Sequence, residues 1–256
     1  MKTILIKCGG STLEELSAEF FSSLHELKKQ GYKIIIVHGG GPDINKMLAQ
    51  LNVEAEYVNG LRKTTQDTLE VVEMVLSGQT NRRLVQKLME NGLQAIGLNG
   101  SDAQLLKGDY VDEEKLGFVG DIMEVNTHFL QILLEKDLIP VMTPIAMGRD
   151  GAKLNVNADY AAAAVAHALN VEQCLFVTDV DGIMINGLVQ EAIPVVDIEN
   201  YIKEGDIFGG MIPKVTSAIS VLQKGINSVR IVAGRKGFYH NHQWLGTKIL
   251  GEGRSM

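Results

Sequence analysis

With 256 residues, 45% hydrophobic and 21% charged, the chain can bury a large core as one big domain or two intimate lobes. Its formal net charge of −7 excludes a broad electrostatic footprint for nucleic acid, so any phosphate site must be built locally from a few cations and backbone N–H groups. No apolar run is long enough to span a bilayer, no secretion signal opens the chain, and Cys8 and Cys174 lie in apolar runs, so a reduced, cytoplasmic protein with no membrane partner is expected.

The first element is a short, almost continuously apolar strand, Thr3-Ile4-Leu5-Ile6-Lys7-Cys8, ending at Gly9-Gly10. A helix follows: Thr12-x-x-Glu15 resembles a capping box, Leu13, Leu16, Phe20, Leu24 and Leu27 recur at helical spacing, and Gly31 sits where a C′ glycine belongs. A second buried strand, Lys33 to Val37, runs into His38-Gly39-Gly40-Gly41. Pro42 suits the first position of the next helix, whose stripe is Ile44, Met47, Leu48 and Leu51. A long helical stretch from about Thr68 to Asn91 precedes a strand from Leu93 to Leu98. The Gly- and Asp-rich segment from Asn99 to about Asp121 reads as hairpins.

Beyond it the pattern predicts a helix from Phe129 to Glu135, a strand from Leu138 to Thr143, and an alanine-rich helix from Ala158 to Leu169. Then come a strand from Gln173 to Thr178, a helix from Pro213 to Lys224, a strand from Ser228 to Val232 and a last strand from Thr247 to Leu250. Apolar strands alternating with helices predict the α/β class, a mainly parallel central sheet sandwiched by helices. Neither a repeat nor a low-complexity linker divides the chain. A shallow boundary near residue 172 gives two closely joined lobes, 1–172 and 173–256.

Ligands of open α/β sheets bind outside the carboxyl ends of the strands, where Gly9-Gly10 and Gly39-Gly40-Gly41 both fall. Either cluster alone could be only a tight strand-to-helix turn. Two in register at one sheet edge point to a ligand, because glycines let the backbone approach a phosphate and the following helix N-termini offer N–H groups. P-loop, dinucleotide-fold and protein-kinase signatures are missing, which argues against those classes. Lys7 ends an otherwise apolar strand just before a glycine turn, so its ammonium can reach that edge. Lys214, in the first turn of a helix, opposes the helix dipole unless an anion binds there. Asp159 starts the alanine-rich helix behind Asn157, a natural cap, and is either plain first-turn acidity or a holder of lysines. Arg62, after the turn signal Asn59-Gly60, could clamp a carboxylate.

Together these segments resemble the amino-acid kinase family, collinearly from Lys7 to Leu250. The lysine-glycine-glycine start is shared widely in that family. Asn59-Gly60-Leu61-Arg62, Asn155-Val156-Asn157-Ala158-Asp159 and Gly210-Met211-Ile212-Pro213-Lys214-Val215 resemble its acetylglutamate-kinase branch. The resemblance implies that ATP phosphorylates N-acetyl-L-glutamate, with Mg²⁺ arriving on the nucleotide and no protein metal ligand. It implies catalytic Lys7 and Lys214 held by Asp159, and an acceptor gripped by Gly40, Gly41, Arg62 and Asn155. Gly9, Gly10, Thr178, Asp179, Asp181, Gly182, Gly209, Gly210 and Met211 would contact the nucleotide. The first lobe would then bind acceptor and make dimer contacts, and the second would bind ATP.

Family members inhibited by arginine carry an extra N-terminal helix, for which a strand starting at Thr3 leaves no room; a homodimer without strong arginine feedback is expected. Another carboxylate- or carbamate-type kinase of this fold is the nearest alternative, and a non-catalytic binding protein a distant one, since it should have lost Lys7, Lys214 or Asp159. Asp179-x-Asp181-Gly182 lacks the remainder of a calcium loop, and His240-x-His242 lacks a third ligand. His38 is read as a packing or supporting residue, and Met74, Val75, Leu84 and Leu88 as core or dimer-face residues.

Overall fold

The computed structural model describes residues 2–226 and 228–251. Among them, eight strands form a central sheet in the order Ala192–Pro194, Thr247–Leu250, Val229–Ala233, Gln173–Thr178, Thr3–Cys8, Lys33–His38, Ile139–Thr143 and Ala95–Asn99. Every neighbouring pair is parallel except Val229–Ala233 with Thr247–Leu250. The mainly parallel sheet read from the strand composition is therefore the fold that forms. Its strands are apolar on both faces because helices cover both faces.

Alternation along Thr3–Cys8 sorts its side chains between two cores. Ile4, Ile6 and Cys8 pack with Phe20, Leu24, Leu27, Leu84 and Leu88, on helices Ala18–Lys29 and Asn81–Glu90. Leu5 packs on the opposite face with Ala161, Ala162, Val165 and Val215, on helices Ala158–Ala168 and Met211–Gln223. Lys7 shares the parity of Leu5, so it faces the alanine-rich helix. Cys8 is buried, which pushes its thiol up to about 12 and leaves it protonated and unreactive at neutral pH.

Thr3–Cys8 lies mid-sheet. Strands from the next part of the chain add on one side of it, beginning with Lys33–His38, and strands from Gln173 onward add on the other. The reversal of strand order between Thr3–Cys8 and Gln173–Thr178 is the kind of switch point that opens a crevice at the carboxyl edge of a sheet.

Several local expectations are corrected. The helix expected from Thr12 begins at Ala18: Leu13–Glu15 is a 3₁₀ turn, Thr12 Oγ1 donates to Gly9 O (2.8 Å), and Ser17 caps by accepting from Phe20 N. The capping box does not form because Leu16 is extended, carrying the chain down from the sheet edge before the helix starts. The long stretch is helical from Gln66 to Glu90, but Met74–Thr80 is a π-helical segment that propensity does not reveal.

The helix expected at Pro213 starts two residues earlier, at Met211. The hairpin region forms Leu106–Tyr110 against Val119–Val125, antiparallel with an irregularity at Lys107/Gly108. These strands close a small barrel with Ile145–Gly148 and Lys153–Val156, two strands not anticipated, and helix Val195–Glu204 was not anticipated either. Among the described residues, no helix is long and apolar enough to cross a membrane.

Candidate active site

The parity of Lys7 has a direct consequence. Its Nζ lies 2.7 Å from Asp159 Oδ1 and 5.6 Å from the centroid of the Phe176 ring. Both members of the pair are mostly buried, at 17% and 16% side-chain exposure. Asn157 caps the helix as expected, accepting from Asp159 N at 2.8 Å and from Tyr160 N at 3.4 Å. The cap aims Asp159 at the sheet, and a charge removed from water there requires its opposite partner.

The two glycine loops pack against each other as well as against solvent. A Cβ on Gly10 would lie 2.8 Å from Gly40 Cα, and one on Gly40 would lie 2.6 Å from Leu76 Cδ2. A Cβ on Gly41 would meet nothing within 4 Å. Gly10 is thus required by close packing against backbone and Gly40 is crowded by the Leu76 side chain, whereas Gly41 stands open at the N-terminus of helix Gly41–Gln50. His38 stabilises this edge from beneath. It is fully buried, and burial pushes it down to about 4, so it is neutral. Its Nδ1–H donates to Gly39 O (3.0 Å), which leaves Nε2 to accept from Asn81 Nδ2 (3.0 Å).

Between the glycine loop and the barrel lies a cavity of ≈ 200 Å³ whose lining includes Gly40, Gly41, Leu76, Arg62, Asn155 and Ala158. Asn59 (φ 50°) and Gly60 (φ 80°) form a tight hairpin turn of the Asn-Gly kind. That turn places Tyr57 opposite Arg62, and the guanidinium sits 4.8 Å from the Tyr57 ring centroid. Arg62 Nη2 donates to Asn45 Oδ1 at 2.6 Å, and Tyr57 Oη donates to the same oxygen at 2.9 Å. Arg62 Nη1 is buried without a hydrogen-bond partner among the described residues. Burial pulls the Arg62 pKa below its ordinary value. A buried guanidinium edge with no partner is costly unless a water or a bound group supplies the missing acceptor.

Across the switch point the second set is differently held. Lys214, in the first turn of Met211–Gln223, pairs with Asp179 rather than with Asp159, and this hydrogen bond holds the Asp179 carboxyl below its usual range. Thr178 Oγ1 accepts from Val180 N (3.3 Å), fixing the bend that follows its strand. Asp181 pairs with Lys236 at 2.6 Å. Gly182 (φ 153°) has no room for a Cβ beside Thr247 Oγ1. Gly209 (φ 57°) and Gly210 lead into Met211, and Phe208 just before them is 74% exposed.

The structure therefore brings Lys7 to Asp159, and Gly40, Gly41, Arg62 and Asn155 to one cavity. It does not pair Lys214 with Asp159. Among the described residues, no cluster of three His, Cys, Asp or Glu could hold a metal. Residues missed from sequence include Asn45, Tyr57, Thr64 and Asn81. Tyr57 was accessible, because an Asn-Gly hairpin dictates its cross-strand partner; the others depend on tertiary contacts. Of the four helix residues noted earlier, Val75, Leu84 and Leu88 are core, and Met74 is half exposed.

Comparison with known proteins places this geometry in context. Residues 2–233 match the family model described as the amino acid kinase family. An acetylglutamate kinase from Geobacillus sp. (strain WCH70) is 51% identical over 251 residues, covering 98% of each chain. The acetylglutamate kinase of Bacillus subtilis (strain 168) is 48% identical, over 97% of this chain and 96% of that one. Among solved structures, smu.665 from Streptococcus mutans UA159 aligns with a TM-score of 0.82 at 33% identity, over 96% of this chain and 98% of that one.

Proposed function

The chain belongs to the amino acid kinase family and is a kinase, and we propose that it transfers the γ-phosphoryl group of ATP to the side-chain carboxylate of N-acetyl-L-glutamate, a step of arginine biosynthesis. The observation that carries the reading is a cavity of ≈ 200 Å³ lined together by Arg62, Asn155 and Gly41, the last standing open at a helix N-terminus. A small acceptor with one carboxylate for Arg62 and another directed to the glycine edge fits that arrangement. The names of relatives about half identical over nearly the whole chain support the same acceptor.

The chemistry requires no general base. A glutamate-type side chain has a pKa near ~4.3, so the acceptor is already a carboxylate nucleophile at neutral pH. What the protein supplies is in-line positioning and charge stabilisation. In this reading Lys7, held by Asp159, and Lys214 neutralise the oxygens of the transferring phosphoryl group. Asp179 holds Lys214 beside the bend at Thr178. Gly40 and Gly41 cradle the acceptor edge, and Asn155 and Arg62 grip the acceptor. Gly9, Gly10, Asp181, Gly182, Gly209, Gly210 and Met211 line the nucleotide side. Mg²⁺ enters as part of the nucleotide substrate, held mainly by phosphates and water.

The same proposal assigns acceptor binding to residues 1–172 and ATP binding to 173–256, in a cytoplasmic homodimer. Met74 and Met89, 53% and 54% exposed on the long helical stretch, supply apolar surface for such a contact. Light scattering should give twice the chain mass; a monomer or a hexamer would remove the dimer from the proposal.

The deciding experiment is ATP turnover with Mg²⁺ when N-acetyl-L-glutamate, L-glutamate, L-aspartate and UMP are offered separately, with acyl phosphate trapped by hydroxylamine. Turnover and trapping only with N-acetyl-L-glutamate is expected. Preference for another acceptor would change the substrate, and silence with all four would favour a binding protein.

A further inference from the structure

We infer that Thr64 is a positioning residue for the acceptor, its one hydroxyl fixing both the backbone that carries Arg62 and the side-chain amide of Asn155. The inference rests on the acceptor site proposed above. Thr64 is fully buried, and both its backbone groups are committed: N donates to Leu116 O and O accepts from Phe118 N, each at 2.8 Å. These bonds form a bridge from the hairpin segment to Gly117, whose φ of 68° and close approach to Thr64 O leave no space for a side chain. On the far side of the same segment, Asn155 N donates to Phe118 O at 2.8 Å. Arg62 and Asn155 are thus carried on neighbouring stretches of backbone, with the Thr64 hydroxyl between the Arg62 carbonyl and the Asn155 amide.

The hydroxyl then decides an orientation by donor and acceptor arithmetic. It has one proton, and that proton goes to Arg62 O at 2.8 Å, since a carbonyl can only accept. Towards Asn155 the hydroxyl can only accept, so the amide must present Nδ2, at 3.0 Å. Neither alternative amide orientation nor a relaxed Arg62 carbonyl satisfies this pair. Asn155 itself lines the cavity. An apolar replacement at Thr64 would strand the buried Arg62 carbonyl and remove the acceptor from the part-buried Asn155 amide, and each would recover a partner by turning away from its present position.

The test compares Thr64→Val, Thr64→Ala and Thr64→Ser with wild type, measuring kcat, the acceptor KM and the ATP KM, with thermal unfolding as the control for folding. Valine and alanine should raise the KM for N-acetyl-L-glutamate roughly ten-fold or more and leave the KM for ATP within about two-fold. Serine, which keeps the hydroxyl, should restore the wild-type acceptor KM. An unchanged acceptor KM, equal rises in both KM values, or failure of serine to rescue would overturn the inference. Failure of both valine and alanine to fold would also overturn it, by showing that the hydroxyl serves the fold. A wild-type protein inert towards N-acetyl-L-glutamate would sink the functional reading and this one together, whereas an active wild type with indifferent variants sinks only this one.

Discussion

The two sides of the crevice are built on opposite principles. On the side proposed for the acceptor, Arg62, Asn155 and the glycine loop are held by part-buried hydrogen bonds, two of them anchored on the fully buried Thr64 and His38 and one on the exposed Asn45. On the side proposed for the nucleotide, Lys214 and Asp181 are held by ion pairs with Asp179 and Lys236 that are substantially exposed, and Phe208 projects into solvent. Buried networks fix geometry at high cost if one member is lost, whereas exposed pairs are worth little and rearrange cheaply. In the proposed reading the difference suits a site whose acceptor must be discriminated by shape and whose charged co-substrate can draw partly exposed lysines to itself. Lys7 stands between the two regimes, on the middle strand and mostly buried against Asp159.

The sharpest way to break this comparison is to remove a lysine from each side. Lys7→Ala and Lys214→Ala should each reduce kcat by roughly 10²–10³-fold if both stabilise the transferring phosphoryl group. Their stabilities should separate. Lys7→Ala strands a mostly buried Asp159 and should cost about 3 kcal/mol, whereas Lys214→Ala breaks an exposed pair and should cost less than about 1 kcal/mol. Urea unfolding of the two variants gives both numbers. Equal stability losses would mean that the two sides are not differently held, and full activity in either variant would remove that lysine from the mechanism.

Arg62 tests the buried side alone. Arg62→Lys retains the charge but loses the planar fork that reaches Asn45 with Nη2 while Nη1 faces elsewhere. The acceptor KM should rise about 100-fold, with the ATP KM nearly unchanged. A parallel rise in both KM values would show that the two sides communicate and that the contrast between them is overdrawn.

How far the site could be read in advance follows the same division. Short-range rules placed Lys7 at the end of its strand, Gly39-Gly40-Gly41, Asn157 and the Asn59-Gly60 turn, because strand composition, cap chemistry and turn residues act within a few residues. The parallel sheet was legible in apolar runs such as Lys33–His38 for a similar reason. Partners that meet only through the tertiary fold were not legible. Asp179 for Lys214, Thr64 for Asn155 and Asn81 for His38 lie 35, 91 and 43 residues apart. The barrel strands Ile145–Gly148 and Lys153–Val156 are short and pair outside the central sheet, and helix Val195–Glu204 opens directly after Pro194 without a side-chain cap, so neither carries a local signal.

The glycines can be separated by substitutions of smaller effect. Gly10→Ala would drive a methyl group to 2.8 Å from Gly40 Cα, so the two loops must part, and a loss of about 1–3 kcal/mol in stability is expected together with lost activity. Gly41→Ala meets nothing and should leave stability within about 1 kcal/mol. If the backbone at Gly41 approaches the acceptor, its kcat/KM should nevertheless fall about ten-fold. Loss of stability in Gly41→Ala, or full activity in it, would assign that glycine to the turn rather than to the ligand.

The last effect is silent at neutral pH and belongs to His38. Its ordinary value of 6.5 is pushed down to about 4, chiefly by burial, with Arg82 adding to the depression and the bond to Gly39 O opposing it. Between those two values the unfolded chain binds a proton at this residue and the folded chain does not. Stability from a neutral His38 is therefore complete above about pH 6.5 and declines as pH falls towards 4. From pH 7 to pH 5 the decline should be about 2 kcal/mol. Carboxylates titrate in the lower part of that range, so the quantity to measure is the difference in urea-unfolding free energy between wild type and His38→Gln at each pH. Glutamine cannot gain the proton, and the difference should shift in the variant's favour by that amount on acidification. A constant difference would mean that His38 exchanges its proton with solvent in the folded state, and that the Gly39 loop is held less firmly from beneath than its buried hydrogen bonds imply.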